Sequence, residues 1–299
     1  MLPGNKITNI LFYGNYFYGL CAVGLAIEAG LQQHYPLNHP LLYVILFCST
    51  IVYYTIPYRE EKEGLIVNSR SLWYKRNVQL VKYTQLLFSA IAVVCIGIYT
   101  QKYWQEILQL GIIEWLLLFT FPLMGVMYYG IDNKSNLRKI GLLKPFIIGF
   151  IWAGLVTTYP IIFSRIENHI NPPFEWMNFW LFVKNTMYVG VLCIMFDIKD
   201  YADDHRQKLN TIIVKTGLRK TLFYVLLPLI IMGLIAFIYY GVAHQFHIGK
   251  IVLNSIPFVL LLWVAYSLRI RRNILYYLVV VDGLMLVKAI CGSLAMLYF

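Results

Sequence analysis

Charge is scarce in this sequence: Asp, Glu, Lys and Arg make up 13% of 299 residues, hydrophobic residues make up 60%, and the mean hydropathy is +0.65. So little charge over so much apolar surface excludes an ordinary water-soluble domain. Cysteine is equally sparse. Cys21, Cys48, Cys95, Cys193 and Cys291 each fall inside an apolar run with no CxxC or Cys/His spacing, so they read as small packing residues rather than a metal site or a disulfide framework. There is no low-complexity segment and no linker long enough to separate two folding units, so residues 1–299 read as a single transmembrane domain.

Apolar stretches recur along the whole chain, and most approach the roughly 20 residues that a helix needs to cross about 30 Å of hydrocarbon. They are Ile7–Leu31, His39–Pro57, Val78–Thr100, Ile107–Tyr129, Leu142–Phe163, Trp176–Phe196, Thr221–Val242, Gly249–Leu268 and Asn273–Phe299. The expected fold is therefore an all-α, polytopic membrane helical bundle of about nine transmembrane helices. The first stretch is too long for the core of a signal peptide and lacks a small-residue cleavage site, so it reads as a permanent helix. Pro122, Pro160, Pro228 and Pro257 lie within or near span ends and are expected to kink their helices.

The net charge of +11 could suggest nucleic acid, but its distribution points to a membrane instead. With a cytoplasmic N-terminus, nineteen Lys and Arg residues fall on the cytoplasmic side and only Lys102, Arg165 and Lys250 on the other; Lys82, Lys184 and Lys288 lie inside spans. This is the positive-inside pattern. The expected location is the cytoplasmic membrane, with membrane lipid as surroundings and no nucleic acid as partner. Three cytoplasmic connections are long and charged: Tyr58–Asn77, Gly130–Gly141 and Asp197–Lys220. Loops on a rigid scaffold commonly carry function, so the chemistry is expected there.

One constellation has chemical content. The sixth span ends in Asp197-Ile-Lys-Asp200-Tyr-Ala-Asp203-Asp204-His205, followed by Thr211 and Gly217. If the helix continues past Phe196, Asp197, Asp200 and Asp204 lie at i, i+3 and i+7, within about 60° of one another on one stripe. The stripe is roughly 10 Å long at 1.5 Å per residue, suited to one or two divalent ions bridging a diphosphate. Like charges at this spacing repel, and the all-oxygen ligand set favours Mg2+. The alternative is a solvated acidic turn balanced by Lys199, Arg206 and Lys208.

This string resembles the second aspartate-rich motif of the UbiA superfamily of intramembrane prenyltransferases: Asp-x-x-Asp-x-x-x-Asp, then Thr seven residues on, then Gly. Asp197, Asp200, Asp204, Thr211 and Gly217 match in order and spacing. The span count, the cytoplasmic motif loops and the Leu137-Arg138…Lys144…Trp152-Ala153 run are also similar to that family. The resemblance implies a UbiA-like fold and transfer of a polyprenyl group from a prenyl diphosphate donor to an acceptor that the sequence does not identify. It further implies magnesium held by Asp197, Asp200 and Asp204, with Arg138 and Lys144 contacting the diphosphate. For those two basic residues the plainer reading is positive-inside charge.

The chain departs from the family in two places. Where the second span meets its loop the family carries a first motif of Asn and two Asp at four-residue intervals; here the stretch reads Ser49-Thr-Ile-Val-Tyr-Tyr-Thr-Ile-Pro57-Tyr-Arg59, without a carboxylate. Glu60, Glu61 and Glu63 follow at a different spacing and read as a solvated loop. Lys208 replaces the Gly usual three residues before the Thr. The alternative function is thus a catalytically degenerate UbiA-like protein that binds a lipid or partner without transfer.

Two further features have open readings. The paired tyrosines at 53–54, 128–129 and 239–240 are either an aromatic belt or the wall of a cavity for an unsaturated chain or a carbocation. Glu28, Glu114, Lys184, Asp282 and Lys288 lie within or near spans, where an ionisable group is costly. Snorkelling accounts equally well for Glu28, Glu114 and Lys288. Sequence names no partner for Lys184 or Asp282.

Overall fold

The computed structural model describes residues 6–59, 69–130, 137, 140–169, 176–206, 209–270 and 272–299. Among them there is no strand, and eight helices are long and apolar enough to cross a membrane. These are α3 (Pro40–Arg59), α5 (Val78–Lys102), α7 (Ile112–Tyr129), α8 with α9 (Lys144–Ala153 and Tyr159–Asn168), α10 (Trp176–Arg206), α12 with α13 (Leu218–Lys220 and Leu227–Ala243), α14 (Ile248–Ser267), and α15 with α16 (Ile274–Tyr276 and Gly283–Tyr298).

The expected first span is not one straight helix. It is split into α1 (Lys6–Tyr13) and α2 (Tyr16–Gln32), which meet at 59°. Asn15 sits at the break with a left-handed φ of 67°, a conformation that Asn tolerates better than most residues because its short amide bonds locally. Its side chain ties three elements together. The Asn15 amide nitrogen donates to Thr55 Oγ1 and Tyr74 Oη, both at 3.0 Å, and its oxygen accepts from Arg70. Thr55 belongs to α3; Arg70 and Tyr74 belong to α4 (Ser69–Arg76), a short helix in the first long basic connection.

Two of the kinks expected at proline appear as π-helical segments. Gly154–Thr158 joins α8 to α9 just before Pro160, and Thr221–Leu226 joins α12 to α13 just before Pro228. Proline has no N–H to give and crowds the carbonyl four residues back, and the wider π turn relieves both problems. A third segment, Tyr277–Val281, joins α15 to α16 without a proline. Pro122 and Pro257 sit inside α7 and α14.

α8 and α10 approach closely because glycines face the contact. A Cβ on Gly149 would lie 2.4 Å from the Thr186 carbonyl oxygen and 3.2 Å from the Gly190 nitrogen. Small residues that let backbones meet are what hold helices together where lipid removes the hydrophobic drive. The main core is built from α2, α10, α14 and α16, around side chains such as Leu25, Met195, Leu261 and Ala265, all almost fully buried.

Candidate functional site

Helix α10 does continue past Phe196, ending at Arg206, and it carries the acidic stripe to the basic end of the bundle. Asp197, Asp200 and Asp204 all line one cavity of about 1790 Å³. Its wall runs from these carboxylates and Thr211 at one end to Trp104 and Trp115, beyond the opposite end of α5, so it extends along the height of the bundle. The segments that supply its mouth meet there. A Cβ on Gly141 would lie 2.6 Å from the Thr211 nitrogen, and Tyr58 stacks on Tyr74 at 4.8 Å and 9°.

The three carboxylates have different surroundings. Asp197 is 1% exposed; one oxygen receives the Lys144 ammonium, and the other, Oδ2, is buried without a hydrogen-bond partner among the described residues. Lys144 opens α8 and reaches Asp197 because Gly149 holds the two helices together. Asp200 is the more open carboxylate, with Lys199 Nζ at 3.2 Å. Asp204 is buried, and its carbonyl accepts from the Leu209 N–H at 2.9 Å.

Thr211 precedes α11 (Ile212–Thr216), and its buried Oγ1 also lacks a hydrogen-bond partner among the described residues. Gly217 ends that helix at φ +80°, a backbone that side chains other than Gly rarely adopt, which accounts physically for the last residue of the motif.

For a divalent ion the donor chemistry fits: all-oxygen, with a buried carboxylate oxygen left without a partner. Among the described residues, however, no three Asp, Glu, His or Cys side chains are grouped to hold an ion by themselves. An ion here would need part of its coordination from a phosphate group and water, which is the usual way magnesium is bound. Arg138 lies outside the described residues, as do Glu60, Glu61, Glu63 and Lys208.

The paired tyrosines prove to have separate environments. Tyr53, Tyr54, Tyr128 and Tyr129 line the cavity, whereas Tyr239 is exposed on the outer face. Tyr54 stacks on Tyr18 at 4.6 Å and 13°, and its hydroxyl accepts a 2.6 Å hydrogen bond from Trp152 Nε1. Stacking and the hydrogen bond fix the Tyr54 ring in the cavity wall.

Several participants are not singled out by sequence. Tyr18 donates to Asp282 Oδ2 at 2.5 Å in the cavity wall, joining the first and last spans. Arg70 is 4% exposed and lines the same cavity, although in sequence it looks like one more basic loop residue. Beside it, burial raises the pKa of the Tyr74 phenol, an effect that the Arg70 charge opposes.

Away from the cavity, Glu28 and Lys288 do not snorkel. They form a buried ion pair at 2.6 Å, extended by Gln32, which donates to Glu28 at 2.7 Å and accepts from Lys184 at 2.8 Å. Glu114 pairs with Arg165. The chain matches no family model, no curated protein and no solved structure.

Proposed function

We propose that this chain is a UbiA-like membrane prenyltransferase, transferring a polyprenyl group from a prenyl diphosphate to an acceptor at the basic end of the bundle. The observation that carries the reading is the carboxylate stripe of Asp197, Asp200 and Asp204 at the mouth of a long, aromatic-walled cavity. A diphosphate needs cations at the mouth, and a polyprenyl chain needs a dry channel behind it. The cavity has the carboxylates that would hold such cations at its mouth and a largely aromatic and aliphatic wall behind them.

Asp197, Asp200 and Asp204 would hold magnesium, which when bound supplies Lewis-acid charge at the leaving oxygen. Lys144 and, as the resemblance implies, Arg138 would contact the diphosphate and offset the negative charge that grows on it. The prenyl C1–O bond breaks, diphosphate departs with the electron pair, and the acceptor bonds to C1 and gives up a proton. Tyr54, held by Trp152 and stacked on Tyr18, offers a ring face to the allylic cation. The positive-inside distribution of Lys and Arg supports an orientation with the basic end inward, and the cytoplasmic membrane is the location proposed with it.

A second reading is supported by a specific contact. Lys144 on Asp197 and Lys199 beside Asp200 already place cations on two of the three carboxylates. A degenerate member that binds lipid without transfer would need no more than this. Binding of prenyl diphosphates of several chain lengths, with and without magnesium, separates the two. Wild type is expected to bind in a magnesium-dependent way, and Asp200→Asn/Asp204→Asn is expected to lose that dependence while inserting normally. Absence of binding at every chain length supports the degenerate reading.

A further inference from the structure

The end of α3 is where the family pattern would place its first acidic motif, and a buried guanidinium stands there instead. Arg70 comes from α4 and lies over the Tyr58 ring, 4.2 Å from its centroid, next to the last turn of α3. One Arg70 nitrogen bonds to the Asn15 amide oxygen and reaches the Tyr13 carbonyl at 3.4 Å. Its Nε–H is buried without an acceptor among the described residues, and none of their carboxylates is within ion-pair distance. Asp282 lies within electrostatic range of both Arg70 and Lys199.

A buried cation without a neutralising partner is costly, and an Arg tethered on one side and open to a cavity on the other invites an anion. The guanidinium fork matches phosphate oxygens and cannot lose its charge. Asn15 and the Tyr58 ring fix its position before any ligand arrives, which lowers the ordering cost of binding.

Resting on the prenyl diphosphate reading above, we propose that Arg70 is a diphosphate-binding residue. It contacts the phosphate oxygens directly, in the part of the cavity where the absent first motif would have held them through a metal ion. Arg70 and Asn15 thus replace carboxylates and an ion with one fixed positive charge. The diphosphate lies between Arg70 on the α3–α4 side and the α10 stripe on the other.

The test uses the full chain in detergent micelles with a farnesyl diphosphate and farnesol pair, or the best-binding chain length of a series. Arg70→Gln is expected to weaken diphosphate binding about ten- to hundredfold, the worth of one or two charge-assisted hydrogen bonds, and to leave the alcohol unchanged. Arg70→Lys is expected to fall between. Should Arg70→Gln not fold, Asn15→Asp keeps an oxygen acceptor on the guanidinium while neutralising it, and the same selective loss is expected. Equal diphosphate affinity in wild type and the variants, or equal loss for diphosphate and alcohol, overturns the assignment and leaves the transferase reading standing. Wild type that binds the alcohol but no diphosphate overturns both.

Discussion

The buried Glu28–Lys288 pair permits a quantitative test of how the bundle is held together. Glu28 is fully buried, and its carboxylate takes Lys288 Nζ at 2.6 Å and Gln32 Nε2 at 2.7 Å. Replacing one partner strands the other charge in an apolar bundle, at a cost of about 3–5 kcal/mol. The two single replacements are not equivalent. Lys288→Met leaves Glu28 with the Lys184 ammonium nearby, bridged by Gln32. Glu28→Gln leaves two cations, Lys184 and Lys288, and no anion. Glu28→Gln is therefore expected near the top of that range and Lys288→Met near the bottom.

At roughly 2–4 °C per kcal/mol for a chain of this size, the losses in melting temperature are about 10 °C or more for Glu28→Gln and less for Lys288→Met. The double variant Glu28→Gln/Lys288→Met removes both charges and is expected to recover most of the loss. The assay is thermal unfolding in detergent, followed by tryptophan fluorescence, at fixed protein and salt. A double variant no more stable than either single one would refute the reasoning, as would equal costs for the two singles.

Two other outcomes are expected. Gly149→Ala drives a methyl group against the Thr186 carbonyl, so α8 and α10 must separate; a loss of about 1–3 kcal/mol is expected in the same melting assay, and magnesium-dependent ligand binding should weaken because Lys144 and Asp197 part. Because burial raises the Tyr74 phenol, the folded chain keeps that proton longer than the unfolded chain. Its contribution to stability is then present below the ordinary phenol range and declines as pH rises above about 10; Tyr74→Phe should flatten this decline in melting curves taken across alkaline pH.

The spans were legible in the sequence because their length and apolarity are local properties, set by the thickness of the hydrocarbon. The extension of α10 past Phe196 was only half legible: the spacing of Asp197, Asp200 and Asp204 makes one stripe if the helix continues, but a solvated acidic turn fitted the same residues until the helix was seen to run to Arg206. What the sequence hid are properties of contact. Glu28 and Lys288 are 260 residues apart, and no periodicity joins them. Arg70 differs from its basic neighbours only in being buried, which charge counting along a loop does not register. The break at Asn15 had a small signal, a Gly14-Asn15 pair inside an apolar run, which the overall length of the run concealed.

The π-helical segments at Gly154–Thr158, Thr221–Leu226 and Tyr277–Val281 have a consequence for how this chain can vary in length. Removing one residue from an α-helix turns everything beyond it by about 100°, exchanging cavity-facing and lipid-facing side chains. A π turn already holds a surplus residue, so losing one there restores the ordinary turn and leaves both flanks facing as before. Three spans thus contain a place where a single-residue deletion is geometrically silent. Relatives that lack a residue at the first of these points would keep Trp152 and Tyr159 in the same relative orientation, both on the cavity wall.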